Sequence, residues 1–373
     1  MIVFESVTKR FPDGTVAVHQ LDLEVPEGEV VVLVGPSGCG KTTTMRMVNR
    51  MTEPTSGTIT VAGQDVMALD PAQLRRGIGY VIQQIGLFPH RTIAENIATV
   101  PGLLGWDRRR IRERVEALMA LVGLPPETAE RYPHQLSGGQ RQRVGVARAL
   151  AVDPPIMLMD EPFGAVDPIV RGRLQEEFLR LQREVRKTIV FVTHDIDEAI
   201  VMGDRIAIMA QGGRLQQCSP PRQLLANPVN DFVARFLGAE RGLKRLSLIP
   251  VAEAAVEPGP LVAPGDSARR AAEAARAAGT EWIVVVDANQ RLHGWAWLHE
   301  LDSTAGSSAL RPFAPQISAT DSLRAALNAM VTSPTGAAVL VGSDGRYEGI
   351  LTQEAVTKQL GADASLARAA LHG

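Results

Sequence analysis

The chain of 373 residues has little of what several protein classes require. Its two cysteines, Cys39 and Cys218, are too few for a disulfide framework, which indicates a reducing compartment. Positive and negative charges nearly cancel to give a formal net charge of −2, so there is no basic excess for binding nucleic acid. No apolar run approaches the roughly 18 residues of a membrane span, and the first residues lack a signal-peptide pattern. We therefore expect a cytoplasmic chain. If it works at a membrane, other chains span that membrane.

The length exceeds what a single hydrophobic core usually supports, so two domains are expected. Residues 1–238 alternate short β-rich apolar runs with helical patterns, which predicts an α/β domain with a largely parallel sheet. The first 25 residues predict an antiparallel flank, and residues 84–135 predict a helical insertion whose arginine-rich face is solvated. The predicted buried strands are 29–35, 78–83, 155–160, 188–194 and 204–210.

The remainder of the chain contains an internal repeat. Residues 262–299 align without a gap on 317–354 after a shift of 55 positions. Each copy predicts a helix capped by Asp266 or Asp321, followed by two short strands. Because each copy is too small to bury its own apolar faces, we expect the two to pack as a pair. The predicted boundaries are a linker at 239–248, a first copy at 249–304 and a second at 305–373.

A glycine-rich loop follows the first buried strand. The run "GPSGCGKT", Gly35 to Thr42, fits the pattern G-x-x-x-x-G-K-[ST] between a strand and a helix. Backbone amides of such a loop bind phosphate, Lys41 places a cation against the terminal phosphates, and the Thr42 hydroxyl can complete a magnesium shell. The sequence therefore predicts a nucleoside triphosphate site.

Three more polar side chains follow buried strands. Asp160 and Glu161 end "IMLMDE", and His194 ends "TIVFVTH". Ligand crevices of open α/β sheets form at these strand ends. We expect Asp160 to hold magnesium directly or through water, Glu161 to orient or deprotonate an attacking water, and His194 to contact the γ-phosphate.

A second candidate anion site lies about a hundred residues after the first. In "LSGGQ", residues 136–140, a Gly-Gly pair opens a predicted helix whose first backbone N–H groups have no partner within the helix. The chain thus has two phosphate-binding features, too far apart in sequence for their relation to follow from spacing alone.

These motifs, in this order, resemble the ATP-binding subunit of ABC transporters. The resemblance implies that two such domains face each other head to tail and that Ser137, Gly138, Gly139 and Gln140 hold the γ-phosphate of the partner's ATP. It adds Phe11 as the residue stacked on adenine, Gln83 as a magnesium contact that senses the membrane subunit, and Asp167, at the end of "GAVD", as a nucleotide contact. The catalytic set implied is Lys41, Gln83, Glu161 and His194; the magnesium set is Thr42, Gln83 and Asp160; the other nucleotide contacts are Gly35, Pro36, Ser37, Gly38, Cys39, Gly40 and Thr43.

The sequence around Gln83, "RRGIGYVIQQIGLFPHRTIAENI", is similar to the corresponding sequences of the ATPases of glycine betaine, carnitine and choline importers. This resemblance implies ATP and Mg²⁺ as cofactors. It also implies an ATPase partner (a second copy or a paralogue), two membrane-spanning permease subunits and an extracytoplasmic substrate-binding protein. The chain would then lie on the cytoplasmic face of the inner membrane as a peripheral subunit.

The 55-residue repeat resembles a tandem pair of cystathionine-β-synthase (CBS) domains, which many ATPases of this class carry. An adenine nucleotide or a cyclic dinucleotide is the ligand implied. The usual Thr-x-x-Asp that holds ribose is absent from both copies, however, since Thr352 is followed by Ala355 and the first copy has Trp297 and Glu300. Three tryptophans of this region, Trp282, Trp295 and Trp297, could form a cage for a quaternary amine, although ordinary packing is the expectation.

Three other functions remain open at this point. The shared motifs bind only ATP, so the cargo could be another small solute such as an amino acid. A soluble ABC ATPase of translation or DNA repair would usually have two ATPase domains or a long coiled coil, and the chain has neither pattern. A nucleotide sensor built on the CBS pair would not need a complete ATPase site.

Overall fold

The computed structural model describes residues 1–82, 86–164, 168–301 and 310–369. Contacts divide the chain into two compact units. The first comprises residues 1–224 and 228–236, and the second comprises residues 225–227 and 237–373.

The strands and helices are numbered in chain order. The strands are β1 (Ile2–Arg10), β2 (Val16–Val25), β3 (Val30–Val34), β4 (Ser56–Val61), β5 (Gln64–Asp65), β6 (Ile78–Val81), β7 (Ile156–Asp160), β8 (Thr188–Thr193), β9 (Arg205–Ala210), β10 (Arg214–Ser219), β11 (Leu261–Val262), β12 (Trp282–Val286), β13 (Leu292–Trp297), β14 (Gln316–Ile317), β15 (Ala338–Val341) and β16 (Tyr347–Leu351). The helices are α1 (Lys41–Val48), α2 (Pro71–Arg76), α3 (Ile93–Ile97), α4 (Thr99–Leu103), α5 (Arg108–Leu121), α6 (Gly138–Ala149), α7 (Pro168–Val185), α8 (Ile196–Met202), α9 (Pro221–Ala226), α10 (Asp231–Leu237), α11 (Arg241–Leu246), α12 (Ala268–Ala277), α13 (Leu323–Thr332) and α14 (Gln353–Ala369).

The main sheet of the first unit has the strand order β10-β9-β3-β8-β7-β6. Its neighbouring strands are parallel except for β10, which runs antiparallel to β9. Every residue of β3, β7 and β8 is buried, as their continuous apolar sequences predict for strands covered on both faces. The predicted largely parallel sheet is confirmed.

A second sheet of the first unit has the order β2-β1-β4-β5 and is antiparallel. One core cluster joins this sheet to the main sheet and to α1, with Phe4, Ile59, Leu33, Met45 and Leu158 all fully or almost fully buried. Burying a side chain of this size stabilises the fold by about 1.5–3 kcal/mol. The predicted antiparallel flank is therefore confirmed, and it packs with α1 in one core cluster.

Helices α3 to α5 form the predicted helical insertion. Asp107 caps α5, because its carboxylate accepts hydrogen bonds from the backbone N–H groups of Arg109 and Arg110 at 3.1 and 3.0 Å. Arg114 attaches the helix to the end of α6 by donating to the carbonyl oxygens of Leu150 and Ala151 at 2.8 and 3.0 Å. The remaining arginines of α5 are exposed, which confirms the solvated face. None of the helices in the described ranges has both the length and the apolar composition that crossing a membrane requires.

The second unit repeats one element order. The first copy has β11-α12-β12-β13 and the second has β14-α13-β15-β16, each with a three-stranded sheet. Strand β14 and helix α13 lie 55 residues after β11 and α12, as the sequence repeat predicts.

The prediction that aspartates cap these helices is wrong. Ser267 and Ser322 are the N-caps, since their hydroxyl oxygens accept from the backbone N–H of Arg270 and Ala325 at 3.3 and 3.2 Å. The preceding aspartates instead bond backwards in the chain: Asp266 accepts from Ala263 N at 2.8 Å. Both residue types are good caps, and the turn before the helix decides which of them is used.

The segment that precedes each copy pairs with the other copy. Glu257, before β11, exchanges two backbone hydrogen bonds with Ile350 of β16 at 2.9 and 2.8 Å. Arg311, before β14, does the same with Trp295 of β13 at 2.9 and 2.8 Å. This exchange makes the two copies interdependent, which confirms that they pack as a pair.

Two glycines at equivalent repeat positions permit this exchange. Gly294 and Gly349 have φ of 144° and 146°, and a Cβ there would lie 2.5 Å from Arg311 O and 2.6 Å from Glu257 O, respectively. Either contact is closer than any side chain tolerates, so glycine is required where the exchanged segment crosses the strand.

One of the core clusters of the second unit is built around tryptophans. Trp282 and Trp295 are buried, and the ring of each lies 6.1 Å from the Phe313 ring, measured between centroids. Ordinary packing is thus confirmed for these two tryptophans. Trp297 is half-buried and contacts Trp295 edge to face at 5.3 Å.

Candidate functional site

The glycine-rich loop joins β3 to α1 under tight backbone constraints. A Cβ at Gly35 would collide with the carbonyl oxygen of Met209, and one at Gly40 would collide with the carbonyl oxygen of Ala17. Gly40 is also the N-cap of α1, with a left-handed φ of 96°. Both glycines are therefore required by close approach of other backbone segments, and Gly40 additionally by its conformation.

The cation of the loop lies at its centre. Lys41 is 7% exposed, and its ammonium group donates to the carbonyl oxygens of Gly35 and Pro36 at 2.8 and 3.1 Å. These carbonyl oxygens accept its hydrogen bonds but bring no negative charge, and the Asp160 carboxylate interacts with Lys41 electrostatically. Together with the positive end of α1, this arrangement fits an anion with several oxygens, such as a phosphate.

The Cys39 thiol of this loop packs into the core. Its side chain is fully buried in the core, with Sγ 3.7 Å from Lys41 Nζ. Burial raises the pKa of the Cys39 thiol above its ordinary value, so the neutral form is favoured. The neighbouring Pro36, Ser37 and Thr43 are half-buried or exposed along the same loop and first turn.

Asp160 meets the first turn of α1 from the end of β7. The Thr42 hydroxyl donates to Asp160 Oδ1 at 3.1 Å, and Asp160 is 5% exposed. Burial raises the pKa of Asp160, although the Thr42 hydrogen bond and the charges of Arg46 and Lys41 oppose that rise. A hydroxyl and a buried carboxylate in contact are hard oxygen ligands, and Mg²⁺ usually takes one or two such groups alongside phosphates and water. The donor set therefore fits magnesium.

Glu161 and His194 form a pair beyond the strand ends. Glu161 has a left-handed φ of 45°, unusual for a residue with a side chain, and its N–H donates to Val192 O at 2.9 Å. His194 Nδ1 lies 3.1 Å from Glu161 Oε1. The Glu161 side chain is 20% exposed and that of His194 is 62% exposed, so both are accessible to a ligand at this edge of the sheet.

The "LSGGQ" segment begins helix α6 with a reciprocal cap. The Ser137 hydroxyl accepts from Gln140 N at 3.2 Å, and the Gln140 side chain accepts from Ser137 N at 3.0 Å. Gly138 and Gly139 occupy the first turn, where backbone N–H groups point out of the helix. The predicted helix start is confirmed, and it presents amide donors next to the Ser137 hydroxyl.

Sequence reasoning missed the segment that supports the loop from the other side. Gln211 Nε2 donates to Ser37 O at 3.1 Å, and a Cβ at Gly213 would collide with Ala17 O. The Gly-Gly turn directly after β9 is a visible signal in the sequence. Its pairing with the loop is not, because the two segments are far apart in the chain.

Of the other predicted residues, Phe11 lies within the described part of the chain. Phe11 is half-buried after β1, in the hairpin that also contains Ala17, and Lys9 Nζ lies 5.3 Å from its ring centroid. Gln83 and Asp167 lie outside the described residues.

Known proteins are similar to this chain over both the phosphate loop and the strand ends that follow it. The family model described as "ABC transporter" matches residues 18–164. The osmoprotectant import ATP-binding protein OsmV of Salmonella typhimurium is 45% identical over 96% of each chain. The glycine betaine/carnitine/choline transport ATP-binding protein OpuCA of Bacillus subtilis is 47% identical over 83% of this chain and 82% of its own length.

The chain belongs to the ATP-binding proteins of ABC transporters. It is accordingly an ATP hydrolase coupled to transport. Among solved structures, the dimeric post-hydrolysis state of the ATP-binding cassette MJ0796 bound to ADP and Pi is similar, with a TM-score of 0.53 and 33% identity; it covers 59% of this chain and 99% of that one. A CBS-domain model matches residues 310–362, the second copy of the repeat. The first copy of the repeat has the same order of strands and helix as the second copy, which the CBS model matches.

Replacing Gly40 with alanine tests the close approach at the phosphate loop. The added Cβ would displace either the loop or the Ala17 carbonyl, so we expect Gly40→Ala to weaken ATP binding by tenfold or more, corresponding to about 1.4 kcal/mol. Calorimetric titration of the full chain with ATP measures this. Gly63→Ala is the matched control, because Gly63 also has a positive φ of 78° but nothing within 4 Å of an added Cβ. Equal ATP affinity in both variants would contradict the assignment.

Proposed function

We propose that this chain is the ATP-hydrolysing subunit of an importer for quaternary-amine osmoprotectants such as glycine betaine, carnitine or choline. The observation that supports this cargo is the extent of the similarity: OsmV matches over 96% of each chain, including the second unit. The nucleotide site alone could not distinguish cargoes, since it contacts only ATP. An importer of another small solute, such as an amino acid, is the alternative.

We assign the catalytic roles from the site geometry. Thr42 and Asp160 would hold Mg²⁺, which would supply positive charge to the phosphates. Lys41 binds the terminal phosphates from the centre of the loop. Glu161 orients the attacking water and accepts its proton, and the contact with His194 holds the Glu161 carboxylate toward the site. Because a carboxylate can only accept, the His194 nitrogen in this contact carries the proton when Glu161 is ionised.

The remaining nucleotide contacts come from two chains. We propose that Phe11 packs on the adenine and that the α6 start of a second ATPase subunit binds the γ-phosphate through Ser137, Gly138, Gly139 and Gln140. The dimeric state of the similar MJ0796 cassette supports this arrangement. Gln83 and Asp167 keep the roles that the family resemblance implies, as a magnesium contact and a nucleotide contact respectively.

The permease subunits need a docking surface, and we propose the groove between α3, α4 and α5. Phe88 and Leu103 line a cavity of about 650 Å³ there, and they are 39% and 72% exposed. Arg91 and Glu95 stand beside them, which provides polar contacts at the rim. Docking at this groove would hold the chain peripherally at the cytoplasmic face of the membrane, opposite an extracytoplasmic binding protein.

Ser137→Asp tests whether the α6 start serves a second subunit. Aspartate preserves the N-cap of α6, so the fold is retained. Its negative charge opposes a γ-phosphate at that helix start. We therefore expect ATP binding to the chain's own Lys41 loop to be almost unchanged and hydrolysis to fall by about 100-fold or more, the range seen when a transition-state donor is lost. Binding by calorimetry and phosphate release measure the two effects.

Ser322→Asp is the matched control, since Ser322 is also a serine N-cap but lies in the second unit. This variant should hydrolyse ATP at the wild-type rate. Wild-type hydrolysis by Ser137→Asp would refute the shared site.

The cargo is tested in the assembled transporter. Reconstituted with its permease subunits and binding protein, the chain should hydrolyse ATP several-fold faster with glycine betaine, carnitine or choline than with amino acids or sugars. Lys41→Ala, which removes the cation of the loop, provides the background rate. Stimulation by an amino acid alone would overturn the osmoprotectant assignment and favour the alternative.

A further inference from the structure

The second unit contains a large cleft between the two repeat copies. It has a volume of about 910 Å³ and is lined by residues of the exchanged segment before β11, of α12, and of the ends of β13 and β16. Trp297 and Thr352, which occupy equivalent positions 55 residues apart, both line this cleft. A cleft of this size accommodates a small molecule.

Trp297 provides an aromatic wall. It is the register partner of Trp282, whose side chain is buried, and partners in this register project from the same face of the sheet. Edge-to-face contact with Trp295 at 5.3 Å and stacking with His299 at 6.1 Å hold the Trp297 ring in place. Trp297 is therefore a rigid aromatic surface that, unlike Trp282 and Trp295, remains half-exposed.

Carboxylate-bearing residues line the same cleft as Trp297. Glu281 precedes Trp282, and its carbonyl oxygen accepts from Leu298 N at 2.9 Å, which ties the Glu281 backbone to the end of β13. Glu257 belongs to the exchanged segment, and its Oε1 lies 3.5 Å from the Thr352 hydroxyl. Both residues line the cleft, and both are exposed.

The charge balance of the cleft is negative. Glu257, Glu273 and Glu281 line it, and Arg270 is the single cation among the described lining residues. Glu273 also pairs with Arg269 at 3.1 Å, outside the lining set. Two carboxylates thus remain against one guanidinium, which disfavours the phosphates of a nucleotide.

We propose that this cleft binds a small quaternary-ammonium cation, with Trp297 against the methyl groups and Glu257 and Glu281 supplying the opposite charge. A cleft that combines an aromatic face with carboxylates has the chemistry that recognises such cations. The proposal replaces the adenine or cyclic dinucleotide ligand that the CBS resemblance implies. The further step, that the cation is the imported solute or a close analogue, rests on the proposed function; the binding itself does not.

Binding is tested on the purified full chain, without permease or binding protein. Choline should change the tryptophan fluorescence saturably, because Trp297 is half-exposed in the cleft. The uncharged isostere of choline, in which a tert-butyl group replaces trimethylammonium, should bind at least about tenfold more weakly, since a cation on an aromatic face contributes up to about 2 kcal/mol. AMP should bind more weakly than choline.

Two variants and two controls complete the test. Trp297→Leu and Glu257→Gln should each lower choline affinity by about tenfold when binding is measured by calorimetry. Trp106→Phe and Glu348→Gln, neither of which lines the cleft, should leave it unchanged. Circular dichroism and ATP binding confirm that each variant is folded.

Any of three results overturns the proposal: no saturable binding of choline, equal binding of the uncharged isostere, or tighter binding of AMP than of choline. Because no transport is measured, these outcomes are independent of the cargo test. An amino-acid importer whose cleft still binds choline would refute the proposed cargo and leave this inference standing.

Discussion

The parallel register of β3, β8 and β7 determines the geometry of the nucleotide site. Val34 pairs with Thr193, and Asp160 pairs with Val192. The phosphate loop, His194 and Glu161 must therefore emerge side by side at one edge of the sheet. Because these strands are buried throughout, a shift in register would disturb the packing of the core and also separate the groups to which we assign catalysis. The stability of the core and the alignment of the site depend on the same pairing.

Local features of this protein could be predicted from its sequence. Continuous apolar runs located the buried strands, the loop motif located Lys41 and Thr42, and the repeat offset located α13 from α12. The exact hydrogen-bond pattern at the helix starts was not predictable, since Asp266 and Ser267 are both good caps. The conformation of the preceding turn selects Ser267.

Contacts between distant segments were not predictable from periodicity or motifs. The close approach of Ala17 to Gly40 and Gly213 depends on how the hairpin packs on the main sheet. The exchange of Glu257 and Arg311 between the repeat copies likewise has no local signal, apart from the glycines that permit it. The cleft beside Trp297 results from that exchange, so its acidic character became visible only in the folded unit. A ligand there can regulate the ATPase only if it binds the active and inactive arrangements with different affinity.

Our central claim is that two chains share each ATP. Sedimentation of the Glu161→Gln variant tests this claim most directly. Glutamine has nearly the same shape as glutamate but cannot accept the proton of water, so ATP should remain bound without being hydrolysed. We predict that this variant is a dimer with ATP and a monomer without it, and that adding Lys41→Ala abolishes the dimer. A Glu161→Gln chain that remains monomeric at saturating ATP, together with full ATP turnover by a monomeric wild-type chain, would contradict the shared site.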